Sequence, residues 1–155
     1  MADFTIETTR VFNAPIDIVW EVVSDAGGYH RVVDTLRHTE ITSGDGLGMV
    51  RHCIDTKGRE WNEACTLWEP GKRMRMTVDV ASYPSAFRAI FERVVGTWSV
   101  EELADGVHLS MRFDGATKLG PIGKAAVVAM GRKSVLGSIM DGYETQIRAR
   151  LATDS

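Results

Sequence analysis

An α+β fold, a curved antiparallel sheet wrapped around a long C-terminal helix, is predicted by three observations. In the last third of the chain Leu136, Met140, Tyr143, Ile147 and Leu151 recur at spacings of three and four, while Lys133, Asp141, Glu144, Arg148 and Arg150 mostly occupy the other face. From Leu36 onward apolar and polar residues alternate, with turn residues between the alternating runs. Apart from a helical region near the start, read as two short helices after the first strand, everything before the C-terminal helix reads as strands, about seven in all. A helix from Gly120 to about Ala152 would be about 45 Å long, enough to lie along a whole small sheet. Such a pairing of layers leaves room for a cavity between them.

The elements follow in order. Phe4 to Phe12 reads as a strand, with Phe4, Ile6 and Phe12 on one side and Thr5, Glu7 and Thr9 on the other. Asn13 is placed to cap a helix, Pro15 suits its first turn, and Asp17 suits the positive end of its dipole. Ile18, Val19, Val22 and Val23 form the buried stripe, and Gly27-Gly28 ends the helix. A second short helical segment is expected from about Tyr29 to Val33. Four hairpin connections then separate the strands: Gly44-Asp45-Gly46, Lys57-Gly58, Pro70-Gly71-Lys72 and Asp105-Gly106. Met74, Met76, Val78 and Val80 alternate with Arg73, Arg75, Thr77 and Asp79, and Val107, Leu109, Met111 and Phe113 alternate with His108, Ser110, Arg112 and Asp114. Each such strand has one dry face, and the terminal helix is the element long enough to cover it. Ser82 to Ile90 breaks the rhythm and carries Tyr83, Pro84, Phe87 and Ile90, followed by Phe91. It is either a hydrophobic cluster closing one end of the sheet or an entrance loop for an apolar ligand.

Composition narrows the function. The 155 residues suit one domain, 1–155, and the 44% hydrophobic and 25% charged content is that of a globular protein. A net charge of −3 with scattered Lys and Arg argues against nucleic-acid binding, which needs a concentrated cationic surface. No basic segment followed by an apolar stretch opens the chain and no window nears 18 apolar residues, so a cytoplasmic location without stable membrane insertion is expected. Cys53 and Cys65 sit on neighbouring strands; pairing of residues summing to 118 would bring them face to face, but free thiols suit a reducing compartment. His30, His38, His52 and His108 are isolated, so no metal site is expected. Nothing in the pattern distinguishes a monomer from a homodimer.

Several separated runs occur in a familiar order: NAPIDIVWEVVSD after the first strand, WEPGKRMRMTV, GTWSVEELADG leading into VHLSMRF, and a long helix after LGPIG. Together they resemble the polyketide cyclase/dehydrase branch of the START-related (SRPBCC) superfamily, whose members share the helix-grip fold. The resemblance covers roughly residues 5 to 152. It implies a central cavity for a hydrophobic, aromatic or polyketide-like small molecule, with no metal or redox cofactor. The superfamily holds both cyclases and non-catalytic carriers or sequestering proteins for lipids, quinones and natural products, so both readings stay open. Its aromatase/cyclases carry a Trp-x-Trp-x-Ser-x-Arg run whose positions fall here on Trp61, Glu63, Cys65 and Leu67. The serine and arginine are replaced, which puts that cyclase chemistry in doubt.

If Trp61 faces inward, so does Glu63, and a carboxyl in an apolar cavity would have a raised pKa suited to acid/base work on a poly-β-ketone. Glu63 with His52 or Arg51 of the adjacent strand is the candidate catalytic set; the competing reading makes Glu63 an exposed strand residue paired with a basic neighbour. His52 alternates with Val50 and Ile54, which suggests the dry side, where a lone histidine usually is a hydrogen-bonded interior residue. Arg51 shares a face with Asp55, and solvation explains it equally well. Candidate ligand contacts are Trp61, Cys65, Leu67, Met76, Phe87, Phe91, Trp98, Met111, Val128, Leu136 and Met140. Gly131 and Gly137 each cost the helix about 1 kcal/mol relative to alanine. The small-residue run from Lys124 to Gly131 marks where the helix leaves space or closely approaches the sheet.

Overall fold

The computed structural model describes residues 2–131 and 135–154, so Lys133 lies outside the described residues. Seven antiparallel strands form one sheet in the order β1-β7-β6-β5-β4-β3-β2. They are β1 (Ala2–Phe12), β2 (Leu36–Ser43), β3 (Val50–Asp55), β4 (Glu60–Glu69), β5 (Arg73–Val78), β6 (Phe91–Leu103) and β7 (Gly106–Thr117). Every one of the four glycine-bearing turns read from the sequence joins two consecutive strands. Gly44, Gly46, Gly58, Gly71 and Gly106 all adopt positive φ there, which side-chain-bearing residues resist.

Helix α1 (Ile16–Val23) follows β1 and buries Ile18, Val19, Val22 and Val23, as its stripe predicts. Asn13 does not cap it: Pro15 occupies the N-cap without a side-chain bond, and the Asp17 carboxylate instead accepts from the Ile18 N–H at 3.0 Å. The next helical turn is a 3-10 helix at Ala26–Arg31, slightly earlier than predicted, because the Asp25 carboxylate accepts from Gly28 N and starts it. Between β5 and β6 lie a 3-10 turn (Val80–Ser82) and the one-turn helix α2 (Ser85–Arg88).

The C-terminal helical region consists of α3 (Gly120–Met130) and α4 (Leu136–Asp154). Leu136, Met140, Tyr143 and Ile147 of α4 are each 2% exposed or less, and they meet Met74, Met76, Leu109 and Met111 from the sheet in one core. Outward residues of α4 fasten it to the rest of the chain. Asp141 accepts from Arg10 at 2.8 Å, and Arg150 pairs with Glu21 of α1. By contrast α3 has no buried residue. Just past its end the chain closely approaches the sheet, where a Cβ on Gly131 would stand 2.4 Å from Ile6 Cδ1.

Candidate functional site

The space between sheet and helices has a polar inner end and an apolar outer end. At the inner end, pairing of β3 with β4 sets Arg51 opposite Glu63 and Cys53 opposite Trp61. Arg51 is 1% exposed: Nη2 donates to Glu63 Oε1, Nη1 to the Ala26 carbonyl at 3.2 Å, and the guanidinium lies 4.5 Å from the centre of the Tyr29 ring. The other carboxylate oxygen, Glu63 Oε2, accepts from Trp61 Nε1 at 2.8 Å and from Cys53 Sγ at 3.5 Å. Burial pushes Glu63 upward, but the Arg51 charge and the bonds from Arg51, Trp61 and Cys53 outweigh it and hold the carboxyl below its ordinary range. The expected raised pKa is therefore corrected. Glu63 is buried, as the cavity reading required, yet it is a fully engaged carboxylate poorly suited to take or give a proton.

His52 does not join it. In β3 the buried residues are Arg51, Cys53 and Asp55, while Val50, His52 and Ile54 are half-exposed, the reverse of the apolar alternation. The cause is pairing of charge: Asp55 accepts from Lys57 N and Arg59 N, both at 2.9 Å, and from Arg59 Nε at 2.7 Å, so two ionised residues face inward at tolerable cost. His52 instead bridges Asn62 Oδ1 and Glu60 Oε1, each at 2.8 Å, and these bonds raise its pKa. The two cysteines are free and buried; Cys53 pairs with Trp61 rather than Cys65 because the observed register sums to 114, as in Val50 with Ala64.

Leu67 is a second correction. The β4–β5 pairing shifts by one residue between Cys65 and Leu67, so Leu67 stands opposite Arg75 and Trp68 opposite the buried Met74. This bulge turns Leu67 away and brings Trp68 inward, where it meets Trp20 at 5.6 Å between ring centres. Cys65, Met76, Trp98, Met111, Leu136 and Met140 are packed in the core, and Val128 is partly buried against it. Trp61 stands between the two ends: its indole holds Glu63, while its ring contacts Tyr83 at 5.6 Å and Phe87 at 6.0 Å.

The outer end is a cavity of about 440 Å³ between the sheet, the α2 segment and α3. Phe87 and Phe91 line it as expected residues, joined by Phe4, Ile6, Ile90, Val94, Phe113, Leu119, Gly123, Ala126, Val127, Met130, Gly131, Val135 and Tyr83. The run from Lys124 to Gly131 thus both leaves space and, at Gly131, touches the sheet. Among these lining residues the Tyr83 hydroxyl is the one side-chain group able to donate a hydrogen bond. Burial first, then the nearby Glu63 and Cys53, push that phenol well above its usual pKa, so it stays neutral. Sequence reasoning does not single out Tyr83, Phe113 or Val127 as site residues. The aromatic richness of residues 82–91 was the available signal for Tyr83; for Val127 there was none.

The sequence matches the family model described as polyketide cyclase/dehydrase and lipid transport over residues 3–147. The chain belongs to this family. Solved structures with the same fold include a protein from Mesorhizobium loti, at 16% identity and a TM-score of 0.71, with 94% of this chain and 97% of that one covered. The aromatase/cyclase Zhui from a Streptomyces species is similar at 18% identity and a TM-score of 0.68, over 96% of this chain and 93% of that one. A Thermus thermophilus protein follows at 17% and 0.69, over 96% and 99%. No curated protein shares recognisable sequence similarity with the chain.

Proposed function

We propose that this protein binds and carries a small molecule whose buried part is uncharged and nearly free of polar atoms. The observation behind this reading is the cavity lining, apolar but for the Tyr83 hydroxyl. A volume of about 440 Å³ lies within the range of small-molecule sites, roughly 300–1,000 Å³. Each carbonyl left without a donor on entering such a space costs about 1–3 kcal/mol. A poly-β-ketone has a carbonyl at every second carbon and would forfeit several of these, whereas a lipid-like or quinone-like molecule with one oxygen near Tyr83 would not. The arrangement therefore favours a carrier over a cyclase.

One observation favours the cyclase reading. Arg51 Nε, Trp98 Nε1 and Tyr143 Oη are buried, Trp98 and Tyr143 are near enough to interact with each other, and Arg51 and Trp98 both contact the Tyr29 ring. Such donors could hold an oxygen that carries developing negative charge. Phe113 lines the cavity and packs against Trp98, with ring centres 5.7 Å apart.

The test is titration with an uncharged naphthylamine fluorophore, followed by native mass spectrometry of protein purified from its own host. Saturable one-to-one binding is expected, and Val127→Asp, which sets a carboxylate in the lining, should weaken it by about 100-fold. Absence of binding, or a Val127→Asp variant that binds as the parent does, would overturn the reading. Turnover of a poly-β-ketone mimic that is lost in Tyr143→Phe would establish the cyclase instead.

A further inference from the structure

We propose that the mouth of this cavity docks on the surface of an anionic lipid bilayer. The first observation is where apolar surface is left open. Ile122 is 87% exposed, Met130 70%, Leu119 52% and Val135 47%. These four lie on α3 and its two flanks, and Leu119, Met130 and Val135 also line the cavity, so the exposed patch and the apolar interior are continuous. An 11-residue helix of mostly apolar side chains with no buried residue presents an apolar face to its surroundings.

The second observation is charge. No acidic residue occurs in segments 80–91 and 118–131, which supply most of the cavity lining and its two lips among the described residues. Arg88 on one lip and Lys118 and Lys124 on the other are exposed, and none of the three makes an ion pair among the described residues. In a chain of net charge −3 this is a cationic rim around an apolar opening. The pattern fits the boundary of a bilayer, where apolar side chains sink about 5–10 Å and lysine and arginine reach the headgroups.

A second copy of the chain fits less well, because facing mouths would oppose Lys118 and Lys124 to one another. No helix among the described residues is long and apolar enough to cross a membrane, so the contact is peripheral. The proposal rests on the exposed rim and not on the ligand, and vesicle binding by the empty protein can fail while the fluorophore still binds.

The experiment is co-sedimentation with vesicles of phosphatidylcholine alone and of phosphatidylcholine with an equal share of phosphatidylglycerol. Binding to the mixed vesicles alone, weakened by salt, is expected. Ile122→Asp should reduce it at least about tenfold, and Lys118→Gln with Lys124→Gln about 25-fold at low salt. Both variants change exposed side chains, and their thermal melting and fluorophore binding should match the parent. Equal affinity for both vesicle types, no binding to either, or variants that sediment as the parent does would overturn the proposal. So would a concentration-dependent dimer dissolved by Ile122→Asp, or retention on an acidic polypeptide in place of vesicles.

Discussion

Arg51→Met is expected to destabilise the protein by about 3–5 kcal/mol, because it strands the Glu63 carboxylate in the core without its partner. For a domain of this size that is a fall in melting midpoint of about 10 °C. Arg51→Met combined with Glu63→Leu should recover most of the loss, since removing both charges also removes the cost of burying them. The pH dependence separates this account from a simple packing defect. In the parent, Glu63 has a folded pKa below its unfolded one. Its contribution is therefore fully present above the unfolded carboxyl value, near 4.3, and is lost as pH falls through the lower folded value. In Arg51→Met only burial and weaker bonds act on Glu63, the folded pKa rises, and stability instead falls as pH climbs from the unfolded value to that raised one. The gap between parent and variant should thus narrow in acid. Urea melts across that range would reject the account if the gap stayed constant or the single substitution cost under about 1 kcal/mol.

Gly142→Ala should destabilise by about 3 kcal/mol even though alanine is the better helix former by about 1 kcal/mol. A Cβ at this position of α4 would stand 2.2 Å from the Val32 carbonyl oxygen and 2.7 and 2.8 Å from the Val32 Cα and carbonyl carbon. All three are backbone atoms, so relief requires the helix to move off the segment that follows the 3-10 turn. Gly137→Ala on the same helix is the internal control. A Cβ there meets nothing within 4 Å among the described residues, and the substitution should stabilise by up to about 1 kcal/mol. Calorimetry giving the two alanines the same sign would refute the close approach.

These two expectations also mark the limits of what the residues disclose. Glycine turns and alternation suffice for the seven strands, because a positive-φ turn and a half-buried strand are set by local chemistry. The stripe Leu136, Met140, Tyr143 and Ile147 is likewise legible, for each residue is apolar and the spacing admits one buried face. Arg51, Asp55 and Glu63 mislead for a physical reason: a charge neutralised across strands reads as a wet face until its partner is placed. Leu67 misleads because a bulge shifts the inward face without altering composition, and the relevant neighbour, Arg75, is on another strand. Gly142 carries no signal apart from being a glycine, since the atom that demands it belongs to Val32. At the cavity, residues 82–91 and the run ending at Gly131 could be located as its walls. That Tyr83 bears the one hydroxyl among so many rings depends on which side chains converge there.

The two thiols give the protein a built-in clock. Cys53 and Cys65 are 0% and 2% exposed, and burial drives both pKa values up, Cys53 further by the neighbouring carboxylate. As neutral, enclosed groups they will not meet an alkylating reagent while the sheet is closed. Their rate of labelling therefore counts how often β3 and β4 come open, with no dye or tag added.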